Sequence, residues 1–387
     1  MNILFLDSPA FAKQDMIDAF EQCGVTCQLF FHEAYNDRHN FDFDTAFFQA
    51  VEETHFDFVF SFNYFPSLSN CCQKCGLKYV SYVYDSPLVA LYSCSLINPC
   101  NYVFLFDKAT YFTFYNSGIQ NVYYLPLAAN TNRLHTLTCP PELLSTLSSE
   151  VSFVGSLYNE EHNFFDRLHK ISPYTRGYLD AIMAAQQNIY GRFFLEELLI
   201  PPILEDLQQA LSYHPLPDGT ETAAYVYANY FLCRKITSNE RLLLLKSVSE
   251  QFELKLYTHH PTSELPDATY IGPVDWYDTM PFIFKQSNIN MNITLKSIQT
   301  GIPLRCMDIM GSGGFLLTNF QSDLLDFFVP NEDFVFYESL GDCNSKIAYY
   351  LTHDTARRQI AANCLGKMQE THTFIHRVRT ILTVLKD

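Results

Sequence analysis

Tryptophan occurs once in 387 residues, whereas phenylalanine occurs 34 times and tyrosine 25 times. Most of those rings are expected in the core. Basic residues are scarce: 25 Lys and Arg stand against 42 Asp and Glu, a formal charge of −17. Nucleic-acid backbone and anionic membrane surfaces both call for clustered cations, so neither is expected as a partner. No apolar run reaches about 18 residues, so no membrane span is expected. The start, MNILFL, meets Asp7 at once and has neither a basic segment nor a long enough apolar stretch for a signal peptide. A cytoplasmic location follows as the expectation. Twelve cysteines are present, and Cys72 and Cys75 form a CxxC beside Cys71. No second pair answers it at zinc-site spacing, so reduced structural thiols are expected and no metal. No GxGxxG follows the first strand, which removes that dinucleotide fingerprint.

What is present suits a globular enzyme: 48% apolar and 17% charged residues, in a chain longer than single cores usually grow. Apolar runs at Asn2–Leu6, Val25–Phe31, Phe56–Phe62, Lys78–Tyr84, Tyr102–Phe106 and Val122–Leu125 read as strands. Helical spacing between them, as at Met16, Ile17 and Phe20, predicts βαβ units and a parallel sheet over residues 1–135. Residues 136–150 carry the proline and serine of a linker. A second α/β domain is expected over 151–370, with a helical insertion at 161–250 that Leu216–Gly219 interrupts. Residues 371–387 read as a final helix.

The chain is organised around Ser287–Phe320. Ile289, Met291 and Ile293 alternate with Asn288, Asn290 and Asn292 as in a strand. A polar loop, a short helix from Leu304 to Met310, a glycine turn and a second strand from Phe315 follow. That order places Asp308 near the mouth of a parallel sheet, where open α/β sheets bind ligands. A carboxylate there can accept two hydrogen bonds from vicinal ribose hydroxyls, although the helix dipole alone also favours an early acid. Arg305 and Lys296 are cations suited to a diphosphate, Arg as a bidentate partner and Lys as a point charge. Gly311, Gly313 and Gly314 permit close approach of backbone to a ligand, or simply a turn into the next strand.

The segment NITLKSIQTGIPLRCMDIMGSGGFLLTN resembles the nucleotide-binding stretch of GT-B glycosyltransferases, in particular the CgeB-like (spore maturation protein) group. YVYDSPL (82–88), NVYYLPLAAN (121–130), VSFVGSLY (151–158) and THTFIHRVRTIL (371–382) agree with that group. The resemblance covers most of the chain outside about 161–245. It implies an α/β GT-B fold: two Rossmann-like domains facing across a cleft, and a last helix crossing back to the first. It implies a nucleotide-sugar donor, with Asp308 on its ribose, Gly155 and Ser156 in a phosphate-facing loop, and Tyr270 to Val274 with Gly272 beside the base. His259, at the end of a strand, is a further donor contact. Retaining GT-B families carry a first acid eight residues before the second, and here that position is Thr300. No DxD motif stands at a strand end, since Asp42-Phe43-Asp44 lies in a polar loop, so transfer without metal or other cofactor is expected.

An acceptor-side base is needed if a hydroxyl is to attack an anomeric carbon. Asp85 closes the fourth strand ahead of Ser86-Pro87 and is the choice, against an Asx-turn role before proline. Asp7, Asp107 and His32 occupy comparable strand ends. The acceptor implied by the resemblance is a surface glycan or protein, such as flagellin or a spore component. A non-catalytic nucleotide-sugar binder is the alternative that Thr300 favours. An epimerase would need paired acids and a histidine around the sugar, a trio that is not found.

Overall fold

Six parallel strands form the first sheet; the inner ones are buried on both faces, as a sheet covered by helices on each side requires, whereas the edge strand Thr26–Phe30 is largely exposed. The six are β1 Asn2–Leu6, β2 Thr26–Phe30, β3 Phe58–Phe62, β4 Lys78–Val83, β5 Asn101–Leu105 and β6 Val122–Tyr124. The order is β2-β1-β3-β4-β5-β6. All five residues of β3, FVFSF, are buried. Its rings pack edge-on and tilted against neighbours, with Phe5 and Phe60 centroids 4.9 Å apart and Phe20 and Phe60 5.1 Å apart. The abundance of phenylalanine is therefore core, as expected.

The computed structural model describes residues 1–160 and 164–386. The expected start of the insertion, residues 161–163, and the last residue, 387, lie outside the described residues. By contacts the chain divides into unit 1 (1–128, 215–222 and 372–387) and unit 2 (129–214 and 223–371).

The final helix, Phe374–Val384, belongs to unit 1 and packs on helix Lys13–Gln22. Buried Arg377 fixes it, donating from Nε to Pro126 O at 2.6 Å and from Nη2 to Leu127 O at 2.9 Å. The break at Leu216–Gly219 also belongs to unit 1. Cys94 N donates to Asp218 O at 2.8 Å, and Thr220 N donates to Tyr92 O at 2.6 Å.

Unit 2 holds β7 Ser149–Val154, β8 Leu254–Tyr257, β9 Thr269–Tyr270, β10 Ser287–Asn292, β11 Leu316–Asn319 and β12 Val335–Tyr337. Their order is β12-β11-β10-β7-β8-β9, all parallel. Sequence alternation does not reveal β12, a three-residue edge strand. Stretch 136–150 contains helix Pro141–Leu147 and the first residues of β7. Two of the three alternating asparagines of β10, Asn290 and Asn292, do not face water. Asn290 accepts from Ser152 Oγ at 2.8 Å and donates to Phe284 O at 3.0 Å. Asn292 donates to Thr294 and Thr318 hydroxyls at 2.9 and 3.0 Å. Both faces of the strand are buried, and the polar one stays hydrogen-bonded, as burial demands.

Candidate functional site

Parallel strands place every following loop at one end of the sheet, so in unit 2 the loops after β7 and β10 meet. Arg241, on helix Cys233–Ser249 and 8% exposed, joins them. Its guanidinium donates to Ser156 O, and to Ile293 O from Nε at 3.2 Å and Nη2 at 2.6 Å. It also lies over the Tyr158 ring, 4.7 Å from the centroid. Ser156 Oγ accepts from Tyr158 N at 2.8 Å and pairs with Glu160. Gly155-Ser156 is thus a braced loop at the mouth of β7. Arg241 itself is assigned no role by the sequence. The signal was an arginine within the leucine-rich run of a helix whose face is buried.

Asp308 sits in the second turn of helix Leu304–Gly311 and is 7% exposed. Its Oδ2 accepts from the indole of Trp276 at 3.1 Å and from Arg305 Nη1 at 3.2 Å. Arg133 covers the indole, its guanidinium 5.2 Å from the Trp276 ring and 4.8 Å from Tyr277. The crevice these residues share with Asn130 and Ser312 has a volume of about 10 Å³, room for one water. The indole and Arg305 thus share Oδ2 of this carboxylate. Burial lowers the Arg305 pKa and the Asp308 carboxylate opposes that, so Arg305 carries an internal partner rather than an open charge.

Two expectations are corrected by placement. Lys296 is not a cation awaiting a diphosphate. Its side chain is 3% exposed and its ammonium lies 3.3 Å from Glu240 Oε1, 3.4 Å from the Tyr190 ring centroid and 3.0 Å from Gln187 O. Burial pushes the Glu240 carboxyl up and the Lys296 ammonium down, while their mutual attraction opposes both. Gly311, Gly313 and Gly314 precede β11 and so lie at the amino end of the sheet, opposite the loops after β7 and β10. A Cβ on Gly311 would meet Ala129 Cβ at 2.5 Å, and one on Gly314 would meet Phe284 O at 2.7 Å. These two glycines allow close packing, and Gly313, at φ +75°, makes the turn.

Tyr270 and His259 form a surface pair at the sheet edge, with Tyr270 Oη donating to His259 O at 3.2 Å. Gly272 follows at φ +106°. Among the described residues, no three His, Cys, Asp or Glu side chains are grouped to hold a metal ion. Cys71 and Cys72 are free and buried, and burial pushes both thiols up. Nor is any described helix long and apolar enough to cross a membrane.

In unit 1, Asp85 is solvent-exposed beside the cis Ser86-Pro87 bond. Asn63, in the left-handed region at φ +57° that asparagine tolerates, holds the Tyr84–Asp85 turn through three hydrogen bonds. Asn63 Oδ1 accepts from Tyr84 N at 3.1 Å and Asp85 N at 3.2 Å, and its Nδ2 donates to Asp85 Oδ2 at 2.7 Å. Packed neighbours push the Asp85 carboxyl above its ordinary value, and the Asn63 hydrogen bond pulls it back. The rivals are otherwise engaged. Asp7 pairs with Lys13. Asp107, 1% exposed, caps helix Lys108–Asn116 through Ala109 N at 3.0 Å. His32 Nδ1 accepts from Ala34 N at 3.2 Å.

A test follows from Asn63. A general base works deprotonated, so kcat/KM falls as pH drops below its pKa. Asn63→Ala removes the contact that lowers that pKa, and the acidic limb of the kcat/KM profile should move to higher pH. A limb that stays in place would count against Asp85 as a base.

Residues 239–383 match the family described as glycosyl transferase-like. No curated protein sequence is similar to the chain. Solved structures are. Sucrose-phosphate synthase from Thermosynechococcus elongatus aligns with a TM-score of 0.56 and 10% identity, over 100% of this chain and 99% of that one. HepE from Anabaena, in complex with UDP and glucose, aligns with a TM-score of 0.52 and 12% identity, over 100% and 99%. WaaG, a glycosyltransferase involved in lipopolysaccharide biosynthesis, aligns with a TM-score of 0.50 and 9% identity, over 99% and 100%. The fold is GT-B: two Rossmann-like α/β units, a helical insertion in the second, and a last helix returned to the first.

Proposed function

We propose that this chain is a glycosyltransferase that moves a hexose from a nucleotide-sugar donor to a hydroxyl acceptor without a metal ion, and that it belongs with the CgeB-like group. One observation carries the reading: the family match at 239–383 includes Asp308 and Arg241, two buried groups built around the loops of the unit 2 sheet. The acceptor is a surface glycan or a surface protein such as flagellin or a spore component, and the reaction is cytoplasmic. The acceptor hydroxyl gives its proton to Asp85 as its oxygen bonds to the anomeric carbon. The bond from that carbon to the nucleoside diphosphate breaks, and the diphosphate leaves with the electron pair. N–H groups of the 155–158 loop meet that charge as preorganised dipoles, and Arg305, paired with Asp308 before the donor binds, turns to it as the cation. Asp308 takes the ribose hydroxyls in exchange for the Trp276 indole. His259, Tyr270 and Gly272 line the base side.

Because Trp276 is the sole tryptophan and donates to Asp308, its emission should report donor binding. HepE was solved with UDP and glucose, so UDP-glucose is the first donor to titrate, followed by GDP- and dTDP-sugars. A saturable change in emission is expected, with the midpoint raised roughly tenfold or more in Asp308→Ala, since a hydrogen bond to a charged group contributes about 1.5–3 kcal/mol. No change in emission and no thermal shift with any donor would remove the proposal.

A non-catalytic binder is the second reading. It is favoured by Thr300 in the first acid's place and by the partners Asp308 already holds. Donor binding without hydrolysis or transfer would select it.

A further inference from the structure

Unit 1 contains a groove that the proposed transfer does not use. It runs between helix Phe41–Glu53, helix Pro66–Cys75 and the loop after β2, and encloses about 310 Å³. That is the lower end of ligand pockets, which span roughly 300–1,000 Å³, and is small for a nucleotide sugar. Ser67, Asn70 and Lys74 recur at helical spacing and so share one face of their helix, and Arg38, His39 and Asp44 line the other side.

The lining is charged but balanced. Lys74 Nζ lies 3.0 Å from Asp44 Oδ2, and Arg38 Nη1 lies 3.3 Å from Asp218 Oδ2. An anion would have to compete with both carboxylates, and the lining residues are all polar or charged, which disfavours an apolar ligand. One polar group in the lining wants a partner: Ser67 is 2% exposed and its hydroxyl has no hydrogen bond. An unmade bond at a buried polar group costs about 1–3 kcal/mol, so a ligand hydroxyl that reaches it gains there. Asn70 and Gln73 have their carbonyl oxygens engaged, by Asn98 Nδ2 at 3.1 Å and Cys100 N at 3.2 Å, which leaves their amide N–H groups to donate.

We infer that this groove binds a hexose ring of a neutral glycan, whose hydroxyls match that mixed array of donors and acceptors. The helix bearing Ser67 begins four residues after β3, at the carboxyl end of the unit 1 sheet, where Asp85 follows β4. As the seat of an acceptor sugar the groove rests on the transferase reading; as a glycan site it does not.

The test is saturation-transfer NMR on the full chain with methyl glycosides of glucose, galactose, mannose and N-acetylglucosamine, and with inorganic phosphate as a competitor. At least one glycoside should bind, its affinity falling roughly tenfold in Asn70→Leu and in Gln73→Leu, as expected for a lost hydrogen bond. Asp308→Ala should leave it unchanged. Should Asn70→Leu fail to fold, the exposed Lys74→Met replaces it. Failure of every glycoside to bind, binding indifferent to the groove variants, or displacement by phosphate would each overturn the inference. Glycoside binding in a protein that binds no nucleotide would keep the groove and remove the transferase; the reverse would keep the transferase and remove the groove.

Discussion

Asp85→Asn is expected to lower kcat by a factor of about 10²–10⁴, the contribution of a positioned general base, with donor binding in unit 2 unchanged. The amide keeps the size of the side chain but cannot take the proton of the acceptor hydroxyl. Its neighbours should hold, because Asn63 Oδ1 bonds to the backbone N–H groups of Tyr84 and Asp85 rather than to the carboxylate. The measurement is kcat and KM against the donor found by Trp276 fluorescence, with melting temperature as control. Unchanged kcat would move the base elsewhere. Asp107 would be a poor refuge, since it is buried as a helix cap.

Lys296→Met should cost about 3–5 kcal/mol of stability near neutral pH, the range found when one partner of a buried ion pair is removed. Glu240 would remain, its side chain 5% exposed, with its pKa raised further by the loss of the opposing charge. A carboxyl whose folded pKa exceeds its unfolded value destabilises the fold progressively as pH rises through that interval. The variant should therefore lie close to the parent protein at acidic pH and fall below it toward neutrality, in denaturant melts followed across pH. Lys296→Met combined with Glu240→Gln should recover much of the loss. A single variant that lost donor binding but no stability would return Lys296 to the role its place beside the glycine-rich stretch first implied.

Lys296 shows how far local reasoning reaches. Residue type and distance along the chain put a cation near the loop after β10, and it is there. Which anion it meets depended on Tyr190 and Glu240, residues 106 and 56 positions away by their numbers. Asp308 was found through its motif, whereas its indole partner came from a loop outside that motif. Asn63 was invisible for a different reason: an asparagine at the end of a strand has no pattern, and only its left-handed backbone turned it toward Asp85. The glycines near Gly311 misled because conformational freedom suits a ligand loop and a packed turn alike, and a turn that enters a strand lies at the amino end of a parallel sheet.

The order of apolar runs and helical spacings by itself determined two parallel α/β units, since period and run length reflect which faces each segment must bury. It also marked the acids at strand ends and the final helix. The folded arrangement alone decided which charges are spent on each other. Pairing energies of buried groups depend on contacts between segments far apart in the chain and on exclusion of water. The occupied carboxylate at Asp308, the clasp of Arg241 and the polar groove of unit 1 all belong to that second class.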